Sequence, residues 1–422
     1  MWQAELREDG AATATVVDTP DAPLRAPQPP RPTRGDRWFP YLAFAGVAGV
    51  VIAVSVAAHA HLPLLHPHHR NLMGNRWYYA FSWWDGWWYT GIARRGYRFF
   101  VAGRQSPVAF FPAYPLLMRM IGPALGGPLL AGVVVTVTSG LGAVVLFHRW
   151  CLRVLGTEKA RLAVLLLLLY PFAFYLMGAV YADALFLFAA VGAFLALEQD
   201  RPVVAGLAAA VATAARPVGL ALILGLWILT LERKGLLRRL RPDGTRGWTA
   251  LRGAFRWADA GVLLAPVGMA AFCAFLWIRF GSPFAFLDSA GAPGWDQPPG
   301  FHTWFKVHWV KAMWNGPWTN GHFGHLFINA LAKVVVAVFI PRVFRRLGVG
   351  YGVFVTIAVV ATAVSTKDFV GMGRYTLAAF PCFAVAAEAL SRRPRLAWVT
   401  LAVSAAGLLM LTQLHARGTI VS

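Results

Sequence analysis

Phe81-Ser-Trp-Trp-Asp85-Gly-Trp-Trp-Tyr-Thr-Gly-Ile-Ala-Arg-Arg-Gly-Tyr97 sets a single carboxylate among four tryptophans. It stands between two apolar runs, about Tyr41 to Ala60 and 128 to 148, and each is long enough to cross a bilayer, which takes roughly 20 residues of helix. Aromatic, weakly charged segments between spans lie at the headgroup level. The chain therefore reads as an all-α polytopic membrane protein with a structured interfacial segment where a hydrophilic loop would ordinarily be.

Working outward, further apolar runs fall at about 162–178, 184–198, 203–214, 217–231, 260–280, 326–341, 351–365, 376–390 and 396–413, which predicts about eleven transmembrane helices. The composition agrees: 58% of residues are hydrophobic and 14% charged, outside the range of soluble domains. Residues 1–38, rich in Pro, Ala and Arg, lack the apolar period needed to fold alone and read as a disordered cytoplasmic tail. Residues 39–413 form one transmembrane domain, and 414–422 a short tail. Cys151, Cys273 and Cys382 have no metal-binding spacing and read as packing residues.

A formal charge of +21 raises the question of nucleic acid. The cations sit in short clusters between apolar runs, which membrane orientation explains better, so no nucleic-acid partner is expected. With the N-terminus in the cytoplasm, Arg149/Arg153/Lys159/Arg161, the cluster Arg233 to Arg256, Arg342/Arg345/Arg346 and Arg392/Arg393/Arg395 all face inward. Two long segments, about 61–127 and 281–325, then face outward. The second carries Trp295, Trp304, Trp309, Trp314 and Trp318 among His and Lys, so the chain is expected to build a site at its outer interface.

Ser82-x-x-Asp85 fits a capping box at a helix start. That reading and a chemical one are compatible, since a helix N-terminus holds a carboxylate ionised. Trp84, Trp87, Trp88, Tyr89 and Tyr97 offer stacking surfaces for a sugar ring, and Tyr114 belongs to a Pro-rich turn, Phe110-Phe-Pro-Ala-Tyr-Pro115. Arg94, Arg95, Arg216, Lys367 and Arg374 lie on the side where the positive-inside rule predicts few cations. Such cations want an anionic partner, and a phosphate is one. Arg374, with Tyr375 beside it and Gly371 and Gly373 before it, is the first choice. Asp183 either caps its helix, pairs with Arg216, or joins Tyr181 in contacting an acceptor hydroxyl. His322-x-x-His325 has zinc-like spacing but no accompanying carboxylate, so no metal is expected and His322 is assigned to sugar contact. The absence of Asp-x-Asp removes support for a metal-held nucleotide sugar.

Trp84-Asp85-Gly-Trp-Trp-Tyr-x-x-Ile92-Ala-Arg-x-Gly-Tyr97, followed by Ala109-Phe-Phe-Pro-x-Tyr-Pro115, resembles the signature of the PIG-V-like mannosyltransferases, integral-membrane enzymes of the GT-C glycosyltransferase class. Tyr181-Ala-Asp-Ala-Leu-Phe186, Arg216-Pro-Val-Gly219 and Gly373-Arg-Tyr-x-Leu-Ala-x-Phe-Pro381 match in order, so the resemblance runs from about Trp77 to Pro381. It implies a GT-C-like fold, a polyprenyl-phosphate-linked sugar donor, most often mannose, and no cofactor. It further implies inverting transfer on the outer face of the membrane, with Asp85 as general base. The acceptor expected of a bacterial plasma-membrane member is a glycolipid, polysaccharide or protein. The rival reading is a lipid-linked-sugar flippase or other transporter. A transporter concentrates ionisable residues at the bilayer midplane and often shows paired repeats; here the unusual residues concentrate in the outer segments.

Overall fold

The computed structural model describes residues 34–65, 76–98, 100–236, 255–295, 297, 300–316 and 321–420. All of them lie in one compact unit, Pro32–Ser422. No strand occurs among the described residues. The helices, in chain order, are α1 (Arg34–His61), α2 (Asp85–Arg95), α3 (Ala113–Ile121), α4 (Pro128–Leu155), α5 (Thr157–Leu168), α6 (Asp183–Glu198), α7 (Pro202–Ala215), α8 (Gly219–Arg233), α9 (Val267–Phe280), α10 (Ala285–Ala290), α11 (Phe301–Trp304), α12 (Val307–Asn315), α13 (Gly321–Val338), α14 (Ile340–Leu347), α15 (Val349–Ser365), α16 (Met372–Tyr375), α17 (Phe380–Leu390) and α18 (Pro394–Ala416).

Each predicted apolar run except 162–178 falls on a helix or a helix pair, but their lengths differ. Among the described residues four helices are long and apolar enough to span alone: Gly35–His61, Pro128–Leu155, Gly324–Leu347 and Pro394–Ala416. The pair Trp257–Leu264 and Val267–Phe280, bent by 45°, is long and apolar enough only when taken together, as a broken span or a re-entrant loop. The remaining runs form shorter helices. Two breaks have a clear cause. Pro266 interrupts the 260–280 run, and Tyr170-Pro171 ends α5 early, because proline lacks the N–H and disfavours helical backbone before it. The expected helix at 162–178 thus gives way to the irregular stretch 169–182. Non-helical backbone at membrane depth persists only where it is buried in protein or lines a cavity. The chain is a multi-pass membrane protein. Its first helix begins at Arg34, ahead of the expected boundary at 38; residues 1–33 of the expected tail lie outside the described residues, as do His66, His68 and His69 of the first long loop.

The centre of the bundle is α6, Asp183-Ala-Leu-Phe-Leu-Phe-Ala-Ala-Val-Gly-Ala-Phe-Leu-Ala-Leu-Glu198, apolar on every side and almost wholly buried, as a helix without a polar face must be. It packs chiefly against α4 and α7. At one end of the bundle the ionic residues pair off: Arg161 with Asp36, Arg233 with Glu198, and Arg346 with Glu388. Glu232 accepts the free N–H groups of Val349 and Gly350 at the start of α15, each at 3.0 Å.

At the other end the two long loops fold as interfacial helices and meet. Trp88 stacks on Phe110 and sets its edge against Trp295, with centroids 5.7 and 5.6 Å apart. Gln105 donates to the carbonyl of Pro293. Val108, Phe111, Phe272, Leu276 and Ala285 form a small second core beneath them.

The irregular stretch 169–182 is seated by close approach at Gly140 of α4, where an added Cβ would lie 2.0 Å from the Leu176 carbonyl oxygen. Gly140→Ala is therefore expected to destabilise the protein by about 1–3 kcal/mol, the usual range for overpacking. Thermal unfolding in detergent measures it, with Gly49→Ala, whose Cβ would meet nothing, as the neutral control.

Candidate active site

Asp85 is the first residue of α2. The residue before it, Trp84, has φ 54° and no side-chain cap, and Ser82 closes the preceding 3₁₀ turn, Trp77–Phe81. The expected capping box is thus not formed. Tyr181, presented by the irregular stretch 169–182, supplies the anchor instead. Its hydroxyl donates to the Trp83 carbonyl at 3.0 Å and accepts the Asp85 N–H at 3.3 Å. Trp83 is fully buried, and its indole N–H donates to Ala416 at the end of α18.

Freed from capping, the Asp85 carboxylate turns to Arg374, whose Nη1 donates to Oδ2 at 2.8 Å. The carboxylate is 31% exposed and the guanidinium 9%. Behind this pair is a second one, Arg216 with Asp183, both buried. Arg374 Nε lies 3.9 Å from Asp183 Oδ2, which joins the two pairs into a line of alternating charge, Asp85, Arg374, Asp183, Arg216. Asp183 is the first residue of α6, yet it caps nothing and spends its charge on this network.

The Tyr375 ring lies between the two guanidinium groups, 4.8 Å from Arg216 and 4.9 Å from Arg374, and the Tyr181 ring lies 4.7 Å from Arg374. Burial works against the charge of Arg374, but Tyr375, Asp183 and Asp85 outweigh it and hold the group protonated well beyond its ordinary range.

Nη2 of Arg374 donates to the Tyr375 hydroxyl at 3.2 Å, so both terminal nitrogens have protein partners, while Nε is buried without a hydrogen bond. Nor does Gly373 present its N–H to a phosphate. Gly373 donates its N–H to Asn329 and packs against the Phe172 ring, 2.2 Å from where a Cβ would sit. Arg94 and Arg95 are exposed at the far end of α2, about 14 Å along the helix from Asp85. Lys367 is half-buried next to Thr366.

Three tyrosines assigned to sugar contact are committed elsewhere. Tyr97 donates to the Phe110 carbonyl, Tyr114 bonds Gly132 and Thr136, and Tyr181 holds the Asp85 backbone. Tyr89 is buried edge-on to Phe110, Tyr114 and Tyr181. Trp84 and Trp87, half-buried beside Asp85, are the rings nearest it in sequence that keep exposed surface. The His322 side chain lies outside the described residues.

Two cations escape a sequence reading. Lys306 is buried at the start of α12, its Nζ bonded to the Thr366 carbonyl and facing the Phe369 ring at 5.2 Å. Lys333 is buried on α13 and bonds Thr362. It sits one turn after Asn329, which holds Gly373. Neither lysine pairs with a carboxylate among the described residues. Burial draws the Lys306 ammonium down to about 8, Asp368 opposing only in part. Trp84, Lys306 and Phe369 are three of the four described non-glycine residues with positive φ, strained backbone of the kind that clusters at functional sites. Among the described residues no group of three or more metal-ligating side chains occurs.

Residues 54–234 match the family described as Mannosyltransferase (PIG-V), a stretch that contains Asp85, Asp183 and Arg216. No curated protein matches the chain. Solved structures similar to it include ArnT from Cupriavidus metallidurans bound to undecaprenyl phosphate, at 17% identity and TM-score 0.47 over 86% of this chain and 62% of that one. The Archaeoglobus fulgidus oligosaccharyltransferase with zinc and sulfate matches at 15% identity and TM-score 0.45, over 88% and 53%. The same archaeal enzyme, AglB, with an inhibitory peptide and a dolichol-phosphate, matches at 14% and 0.43, over 91% and 56%. The chain thus spans between 53% and 62% of the length of these proteins.

Removing one partner of a buried ion pair strands the other. Asp183→Ala is expected to cost about 3–5 kcal/mol, while Asp85→Asn, at the half-exposed end of the line, costs far less. Paired thermal melts of the two variants check this order.

Proposed function

We propose that this member of the PIG-V mannosyltransferase family transfers a sugar, most plainly mannose, from a polyprenyl-phosphate donor to an acceptor hydroxyl, with inversion at the anomeric carbon. The observation that carries the reading is the half-exposed Asp85 carboxylate, held at Oδ2 by a buried arginine while Oδ1 accepts no bond from any described residue. A fixed carboxylate with one free oxygen is what a general base needs. The acceptor O–H gives its proton to Oδ1 as its oxygen bonds to the sugar C1. The C1–O bond to phosphate breaks in the same displacement, and polyprenyl phosphate leaves with the electron pair. A β-linked donor gives an α-linked product.

The leaving phosphate needs positive charge in a site that excludes water. Lys306 and Lys333, buried without carboxylate partners, are the residues we assign to it; Arg374 then positions the base and does not bind the donor. Trp84 and Trp87 offer apolar faces for the sugar. The site faces the outer side of a bacterial plasma membrane in the orientation the basic clusters favour, with the N-terminus in the cytoplasm. The acceptor class is a glycolipid, polysaccharide or protein of that side.

Purified protein given labelled polyprenyl-phosphate-mannose and candidate acceptors should form an α-linked product, and a nucleotide sugar should give none. Movement of the labelled lipid across vesicles without transfer would favour a flippase instead. A separate expectation follows from Lys306. A lysine whose proton is lost near pH 8 holds phosphate below that pH and releases it above. Polyprenyl-phosphate affinity should fall as pH rises through about 8. In Lys306→Arg, which stays charged throughout, the fall should disappear.

A further inference from the structure

One cavity lies far from Asp85. It has a volume of about 710 Å³ and opens between the start of α1 and the second half of α4, lined among others by Asp36, Arg37, Trp38, Tyr41, His148 and Arg149. Its place along the bundle follows from helix geometry. His59, near the end of α1, contacts Trp83 of the Asp85 site, whereas Trp38 is 21 residues earlier, about 32 Å at 1.5 Å per residue. That is the thickness of a bilayer's hydrocarbon core. The cavity and the Asp85 site therefore sit at opposite membrane faces.

Its lining carries more positive than negative charge. Asp36 is already met by Arg161, through Nε at 3.1 Å and Nη2 at 2.7 Å. Arg37 and Arg149 are exposed and make no ion pair among the described residues. His148 is 2% exposed, and its Nε2 is buried without a hydrogen-bond partner, a state buried polar groups rarely keep. Trp38 and Tyr41, 60% and 36% exposed and in ring contact, are the residue types that settle at headgroup depth. Two unpaired guanidinium groups, one unsatisfied imidazole nitrogen and an aromatic rim match a phosphodiester that enters from the membrane plane.

We propose that this cavity binds the headgroup of an anionic phospholipid from the leaflet opposite the Asp85 site, with Arg37 and Arg149 on its phosphate and His148 donating from the wall. The occupant is a structural lipid that ties α1 to α4, separate from any donor or acceptor at Asp85. A lipid fits better than a free anion, because the aromatic rim lies against acyl chains and a soluble phosphate would leave it bare.

The test is native mass spectrometry of the full chain in detergent, titrated with phosphatidylglycerol, with phosphatidylcholine and, as competitor, with inorganic phosphate. Wild type should retain one phosphatidylglycerol in preference to phosphatidylcholine. Arg37→Ala and Arg149→Ala should each weaken that retention about five-fold, and Arg345→Ala, a basic residue outside the cavity, should leave it unchanged. His148→Phe should weaken it while His148→Gln, which keeps a donor, restores much of it. Because both arginines are exposed, their removal leaves folding intact, and melting curves taken without lipid verify this. Equal retention by the arginine variants would overturn the site. Displacement of the lipid by millimolar inorganic phosphate, or equal retention of phosphatidylcholine, would overturn its assignment to an anionic lipid.

Discussion

Everything at the working end of this protein depends on one constraint: four charges, Asp85, Arg374, Asp183 and Arg216, stand in line at the edge of an apolar bundle. Inside such a bundle an unpaired charge carries a desolvation cost of several kcal/mol, so each member is tolerable only while its neighbours are in place. The line begins at the buried start of α6 and ends at a half-exposed carboxylate on α2. It therefore couples the rigid centre of the fold to a partly exposed acid. Tyr375, between the two guanidinium groups, and Tyr181, under the Asp85 backbone, limit how far that acid can move.

The same constraint separates two tasks that a sequence reading merges. Arg374 spends Nη1 on Asp85 and Nη2 on Tyr375, and in the proposed function it braces the base. Lys306, from the second long loop, and Lys333, from α13, are buried without a carboxylate partner among the described residues. In the proposed function, the neutralised cations fix the base and the lysines without acidic partners receive the donor phosphate. Contact between the two long loops through Trp88, Phe110 and Trp295 holds these two halves at the same membrane face.

Much of this was legible in residue order. Apolar periodicity located every span-forming segment, and the Trp-rich stretch marked Asp85 as unusual before any coordinates. The possible pairing of Asp183 with Arg216 followed from both lying near the same ends of their helices. What the sequence could not reveal depends on tertiary contact. Ser82-x-x-Asp85 has the letters of a capping box, but Tyr181, nearly a hundred residues later, supplies the competing hydrogen bond. Lys306 and Lys333 look like ordinary loop and helix lysines until folding buries them. Tyr97 and Tyr114 look like sugar-binding rings until their hydroxyls are seen on backbone carbonyls. Pro171 and Pro266 were visible breakers inside apolar runs, and they account for the irregular stretch and the bent pair.

The central claim is that Asp85 removes the acceptor proton and does little to bind the donor. Single-turnover transfer from labelled polyprenyl-phosphate-mannose, measured alongside donor affinity for wild type and Asp85→Asn, tests it directly. The account predicts a rate lower by roughly 10²–10⁴-fold, the usual contribution of a general base, with donor affinity nearly unchanged. A variant that folds normally and transfers sugar at the wild-type rate would contradict it.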